Sequence, residues 1–221
     1  LAEVDPTQTS KLERSKAKRR HSILDAARHL LKQENDEELS MRALAKRANV
    51  SLATPYNLFG SKRGVMLALL RREGDLFISR FNEEPINDPL VRIFLFLDSA
   101  YDLYRSDPAY FKSVLSSLYI ADDTELRQEL RRPRIAYLKR LLREAVASGS
   151  VGTEISIGLV SRQMIGLNLF FLQEWLCGSI TLERARLETE YGISVLLLAL
   201  AKGESREMLL ARNLVLEAQI E

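Results

Sequence analysis

The chain has 221 residues, 46% of them hydrophobic, and a formal net charge of +2. That is ample material for a buried core, in one large domain or in a small domain joined to a larger one. A lone cysteine, Cys177, excludes an intramolecular disulfide and fits a reducing cytoplasm.

The charge is unevenly spread. Residues 1–63 hold 13 Lys/Arg against 8 Asp/Glu, net +5, and the remainder holds 19 against 22, net −3. A basic N-terminal part on a mildly acidic body points to a polyanion partner for that part. Residues 1–20 lack the apolar core of a signal peptide. The longest apolar runs, such as Val195–Ala201, fall far short of the ~20 residues that cross a bilayer. A soluble, cytoplasmic protein without membrane attachment is expected.

In chain order, residues 1–10 are polar and aperiodic and are expected to be disordered. Residues 11–20, KLERSKAKRR, carry six basic residues and one acid, so 1–20 reads as a flexible basic arm. Ile23, Ala26, Ala27, Leu30 and Leu31 then recur at helical spacing and make one apolar face. The acidic stretch ENDEE breaks the pattern. Ser40 is placed to cap a helix, MRALAKRA, whose Leu44, Ala45 and Ala48 face inward. Asn49 follows, and Asn tolerates the positive φ of a tight exit turn. Ser51 is expected to cap the next short helix and Ser61 the one after it. Pro55 would be about the fourth residue of the short helix and would distort its first turn.

Beyond residue 62 the pattern is helical throughout, with breaks at 83–89, 106–108, 121–123, 147–152, 178–181 and 202–205. Pro133 predicts either two helices or one kinked helix over ELRRPRIAYLKRLLREAVA. The whole is read as an all-α chain of about nine or ten helices.

A helix of about eight residues, a short turn and a second short helix form a helix-turn-helix, whose second helix can lie in the major groove of DNA. Such a helix meets base edges at close range. Small or apolar groups, here Leu52, Ala53 and the Thr54 methyl, suit thymine methyls.

These residues resemble the DNA-binding domain of the TetR family of bacterial transcriptional regulators. The likeness covers residues 23–70 and is carried by Ala26-Ala27, Leu44-Ala45, Val50-Ser51, Tyr56, Phe59 and Ser61-Lys62. Two positions depart from the family's pattern: Asn49 stands where Gly is usual, and Pro55 where Leu is common. The resemblance implies a helix-turn-helix domain over 21–66 and a helical regulatory and dimerisation domain over 67–221. It implies that Ser40, Met41 and Arg42 open the first motif helix beside the groove, with Arg42 suited to a guanine O6/N7 pair. It implies that Ser51, Leu52, Ala53 and Thr54 meet the groove, and that Tyr56, Asn57 and Lys62 hold phosphates. Packing for Tyr56 and a phosphate clamp for Arg42 are the competing readings.

In the C-terminal body, residues 156–178 are apolar on nearly all sides. Val160, Met164, Leu167, Phe171 and Trp175 make one stripe, and Ile165, Leu169, Leu172 and Leu176 make another. One stripe is expected in the subunit's own core and the other against a symmetry mate. With the helix over 181–201, this resembles the family's four-helix dimer interface. The resemblance further implies a ligand pocket for a small, largely apolar effector. Its candidate lining is Tyr101, Tyr104, Phe111, Tyr137, Met164, Phe171 and Trp175, with Asn168 as a polar contact. Ordinary core packing is the commoner role for every one of these side chains.

The reading is therefore a homodimeric regulator of a palindromic operator, a repressor released by an effector. The alternative is an architectural or protein-recruiting DNA-binding factor without one. An enzyme is not expected. His21 and His29 have no acidic or cysteine partners in a catalytic pattern, and neither a phosphate loop nor metal-ligand spacing is present. No cofactor or metal is expected.

Overall fold

The computed structural model describes residues 6–32, 39–82, 86–119, 124–154 and 156–221. Among these, ten helices occur in chain order. They are α1 (Pro6–Lys32), α2 (Met41–Arg47), α3 (Ala53–Phe59), α4 (Lys62–Asn82), α5 (Pro89–Ser106), α6 (Pro108–Tyr119), α7 (Thr124–Ala147), α8 (Ile157–Cys177), α9 (Leu182–Leu198) and α10 (Gly203–Ile220). One isolated antiparallel bridge joins Val151 and Ala201. The all-α expectation holds.

The chain divides into two compact units. The first comprises Leu1–Leu76 and Ala109–Ala121, the second Phe77–Pro108 and Asp122–Glu221. In the first unit Ile23, Leu24, Ala26, Ala27 and Leu30 of α1 are buried, as are Leu44 and Ala45 of α2 and Val65, Met66 and Leu69 of α4. Tyr110, Phe111, Val114 and Leu115 of α6 are buried as well. Arg28 and Lys32 of α1 lie over the Tyr110 ring, at 5.6 and 5.9 Å from its centroid. Two ion pairs link α1 and α4: Arg28 to the buried Glu73 at 2.8 Å, and Arg72 to Asp25 at 2.7 Å.

The expected flexible arm over 1–20 is corrected from Pro6 onward, where the chain is already part of α1. Residues 1–5 lie outside the described residues. The physical reason is propagation. A packed, amphipathic helix exists from Ile23, and extending it through Lys, Arg, Glu and Ala requires no new nucleus. Pro6, at the first helical position, loses no hydrogen bond that the helix would have made.

In the second unit α5 packs on α7 and α9, α7 on α8, and α9 lies between α8 and α10. Sequence-encoded caps set these helices. Asp88 accepts from the Leu90 and Val91 amides at 2.8 and 3.1 Å ahead of Pro89. Ser156 and Thr181 cap α8 and α9. Gly178, at φ 82°, ends α8 in the left-handed conformation. Pro133 breaks nothing: α7 is one helix with the proline inside it, and the Pro133 ring is exposed.

The core of this unit includes charge. Arg186 meets Asp98 at 3.1 Å, Glu183 at 2.7 Å and Glu190 at 2.9 Å. Arg212 also pairs with Glu190 and lies 4.1 Å over the Phe94 ring. Glu190 is 4% exposed, and burial pushes its carboxyl above the ordinary value against the pull of the two arginines.

Candidate nucleic-acid interface

The motif is built by local rules. The Ser40 hydroxyl accepts from the Ala43 amide at 3.1 Å and caps α2. At the other end Asn49 has φ 53°. Its amide donates to Lys46 O at 3.2 Å, and the Val50 amide donates to Ala45 O at 3.0 Å. That bond pair is a Schellman closure, with Asn at the position glycine usually holds. It turns the chain sharply and delivers Ser51 to the start of α3.

Two expectations at α3 are corrected. Ser51 does not cap the helix through a backbone amide; its hydroxyl pairs with that of Thr54 at 2.9 Å. Leu52 holds the cap position without a side-chain bond. Pro55 is thereby the third helical residue, where an amide has no intrahelical acceptor in any case. Its missing N–H costs the helix no bond, and its ring is buried. The Thr54 amide donates to Ser51 O at 2.9 Å, so the helix opens on a tightened turn.

The outward face of α3 is Leu52, Ala53, Tyr56 and Asn57, all exposed, with Leu52 and Tyr56 each at 50%. The face carries no charge. Thr54 and Lys62 are half-buried. Ser40 and Arg42 are exposed, and Lys46 and Arg47 expose two further cations on α2. Met41 does not join them: at 6% exposure it packs into the domain, because the first residue of so short a helix is already on its apolar face.

Sequence reading missed two fixing residues. A Cβ on Gly64 would overlap the carbonyl oxygen of Phe59, so only glycine lets α4 start so close to the end of α3. Arg20 donates to Leu58 O at 2.9 Å and lies 4.4 Å over the Phe59 ring. The KRG triplet and the last arginine of KLERSKAKRR were the available signals.

The candidate pocket residues divide between the two units: Phe111 belongs to the first, where it meets Tyr110 edge-on at 4.9 Å, and the others to the second. Asn168 donates to the Tyr101 hydroxyl at 3.2 Å, which pairs with the Thr189 hydroxyl at 2.7 Å. Burial holds the Tyr101 hydroxyl well above its ordinary value, so it stays protonated. Tyr104 meets Tyr101 edge-on at 6.0 Å and stacks with Trp175 at 6.2 Å. Arg134 donates to the Tyr104 hydroxyl at 3.2 Å. Tyr137 stands in a different cluster, stacked on Phe96 at 4.6 Å and edge-on to Phe81 at 6.0 Å. Its hydroxyl is buried with no hydrogen-bond partner among the described residues. Met164 is fully buried, and Phe171 is half-buried beside Phe170.

On the two α8 stripes Val160, Met164 and Trp175 are buried, and so are Ile165, Leu169 and Leu172, whereas Leu167, Phe171 and Leu176 are half-buried. α7 and α9 both pack on α8. The outward face is a third one, with Leu159 at 53% and Phe170 at 58% exposed. On α10, Leu210, Leu214 and Val215 are exposed, Leu214 at 68%.

Among the described residues no group of acidic, histidine or cysteine side chains could hold a metal ion, and no helix is long and apolar enough to cross a membrane.

Comparison with known proteins gives consistent matches. Residues 23–69 match the sequence profile of bacterial regulatory proteins of the tetR family. Over 104 residues the chain is 34% identical to the HTH-type transcriptional repressor KstR of Rhodococcus jostii (strain RHA1), across 47% of this chain and 49% of that protein. The match thus spans about half the length of that relative. The fold is similar to a TetR transcription regulator from Haloarcula marismortui ATCC 43049, with a TM-score of 0.66 and 16% identity over 84% of this chain and 100% of that one. It is also similar to the regulator FadR from Bacillus subtilis in complex with stearoyl-CoA, with a TM-score of 0.60 and 19% identity over 80% and 97% of the two chains.

Proposed function

We propose that the chain, whose residues 23–69 match bacterial regulatory proteins of the tetR family, is a sequence-specific DNA-binding transcriptional repressor, not an enzyme, acting as a cytoplasmic homodimer. The observation that carries this reading is the uncharged, exposed face of α3, delivered by the Asn49 closure and accompanied by the exposed cations of α2. Leu52 and Ala53 can approach thymine methyls, and Arg42 offers a fork for guanine. Tyr56, Asn57 and Lys62 are suited to phosphates, which position the domain without reading sequence. Dimerisation supplies the surface that one motif lacks. The exposed apolar faces of α8 and α10 are the candidate contacts, and Phe170→Glu or Leu214→Glu is expected to yield folded monomers by sedimentation.

Release from DNA is assigned to a small, largely apolar effector in the second unit. The FadR structure holds a long-chain acyl thioester, and Tyr137 of this chain offers such a ligand a buried hydroxyl with no hydrogen-bond partner among the described residues. Linkage tests it: operator should weaken effector binding by the factor by which effector weakens operator binding.

The experiment for the reading as a whole is selection of bound duplex from a random pool. The expected product is a two-fold symmetric site with half-sites about 34–36 Å apart or a multiple of that. A pool without enrichment sinks the reading.

A further inference from the structure

The stretch of α1 from Glu13 to Arg19 carries charge for which the reading of α3 has no use. Every residue from Glu13 to Arg19 is exposed, so no described element covers this stretch. It is nevertheless helical and continuous with the buried part of α1. Arg14, Lys16, Lys18 and Arg19 stand on it beside a single acid, Glu13. Among the described residues none of the four cations has an ion-pair partner, whereas Asp25, Arg28, Arg72 and Glu73 of the same unit do.

The base of this projection is fixed. The Arg20 guanidinium donates to Leu58 O at 2.9 Å and lies 4.4 Å over the Phe59 ring. Leu58 and Phe59 are the last two residues of α3. A carbonyl in the last turn of a helix lacks an intrahelical donor, and a cation there also complements the helix dipole. Arg20 therefore ties the root of the exposed segment to the end of the helix that faces DNA. Lys16 lies one turn before Arg20 on the same face.

We propose that this exposed basic segment of α1 is a second DNA contact, a stiff strut that binds backbone phosphates beside the half-site engaged by α3. The inference rests on the reading of α3 as the DNA-facing helix. From Pro6 to Arg19 the strut is about 21 Å long at about 1.5 Å per residue. Duplex DNA presents a charge every ~1.7 Å of axis, so a strut of this length can span several phosphates. Duplex is favoured over an acidic protein partner because Arg20 keeps the strut beside α3 whenever α3 is engaged. Its contribution is independent of sequence and steep in salt.

The test uses the full chain and the duplex selected by the wild type, once trimmed to the site and once extended by about one helical turn at each end. Affinities are measured across a salt series for the wild type, for R14A/K16A/K18A/R19A and for A17P. All five positions are exposed, so the buried core is untouched. Ala17→Pro keeps every charge but breaks the helix one turn before Arg20. On the extended duplex the wild-type slope of log K against log salt is expected to be steeper by about 2 or more than that of the fourfold variant. The wild type should gain affinity from extension and both variants should lose that gain. Equal slopes and an equal gain in the fourfold variant would overturn the strut. An undiminished gain in A17P would also overturn it, by showing that loose charge suffices. If the wild type selects no duplex, the reading of α3 fails first and the strut falls with it.

Discussion

In the second unit arginines meet carboxylates. Arg186 holds Asp98, Glu183 and Glu190, Arg92 holds Glu144 at 3.0 Å, and Arg105 holds Glu183 at 2.7 Å. In the first unit Arg42, Lys46 and Arg47 of α2, like the four cations of the α1 strut, stand exposed with no ion pair among the described residues. Both units use ion pairs internally, Arg28 with Glu73 and Arg72 with Asp25 in the first, but the first also leaves a set of cations outward. Unpaired surface cations add little to stability and can even repel. Their retention beside an uncharged recognition face is what a polyanion partner requires.

That contrast can be broken most strongly at Arg186. Arg186→Ala leaves Glu190, 4% exposed, with Arg212 as its one remaining ion-pair partner among the described residues. A loss of about 3–5 kcal/mol in denaturant unfolding is expected. Lys46→Ala, in the other unit, should change stability by less than about 0.5 kcal/mol while weakening DNA binding. Comparable stability losses for the two would remove the distinction.

Gly64→Ala comes next. The added methyl meets backbone at Phe59 O, and backbone cannot move aside as a side chain does. A loss of about 1–3 kcal/mol is expected, read by thermal unfolding. Asn49→Ala should lose about 1 kcal/mol or somewhat more, because alanine resists the left-handed conformation at φ 53°. Asn49→Gly should be neutral or slightly stabilising. A neutral Asn49→Ala would mean that the turn does not hold this geometry in solution.

The smallest effect is acidic. The bond from Arg186 holds the Glu183 carboxyl below its ordinary value of 4.5. Its folded-state pKa is thus below the unfolded one. The stability it gives is present above about pH 4.5 and is lost as pH falls further. Glu183→Gln should flatten that part of the acid-unfolding curve slightly, since the side chain is half exposed. An unchanged curve would show that the bond does not persist in solution.

The first unit was more legible than the second for a physical reason. Ser40, Asn49 and Ser61 act on the backbone within a few residues, so their types announce their roles. Ser61 indeed accepts from the Gly64 amide at 3.2 Å. The difference there concerns burial: the expectation places Met41 beside the groove, but helical phase in a helix of seven residues shifts with its first residue, and Met41 packs inward. In the second unit the decisive pairs join residues far apart in sequence, such as Tyr101 with Thr189 and Asp98 with Arg186. Periodicity shows that α8 is apolar all round, but not which of its faces α7 and α9 take. The same limit hid the placement of Phe111 in the first unit. No local signal marks residues 109–121 as belonging with α1.

The central claim is that α3 and the start of α2 read sequence while the surrounding cations only position. It is tested most directly by repeating the random-pool selection with Arg42→Ala, with Leu52→Ala and with Lys46→Ala. The first two variants are expected to relax or change the preferred base at one position in each half-site, by about 1–3 kcal/mol of discrimination for Arg42 if it contacts guanine. Lys46→Ala is expected to select the wild-type site with lower affinity. The same site selected by all three, with affinity alone reduced, would contradict the claim.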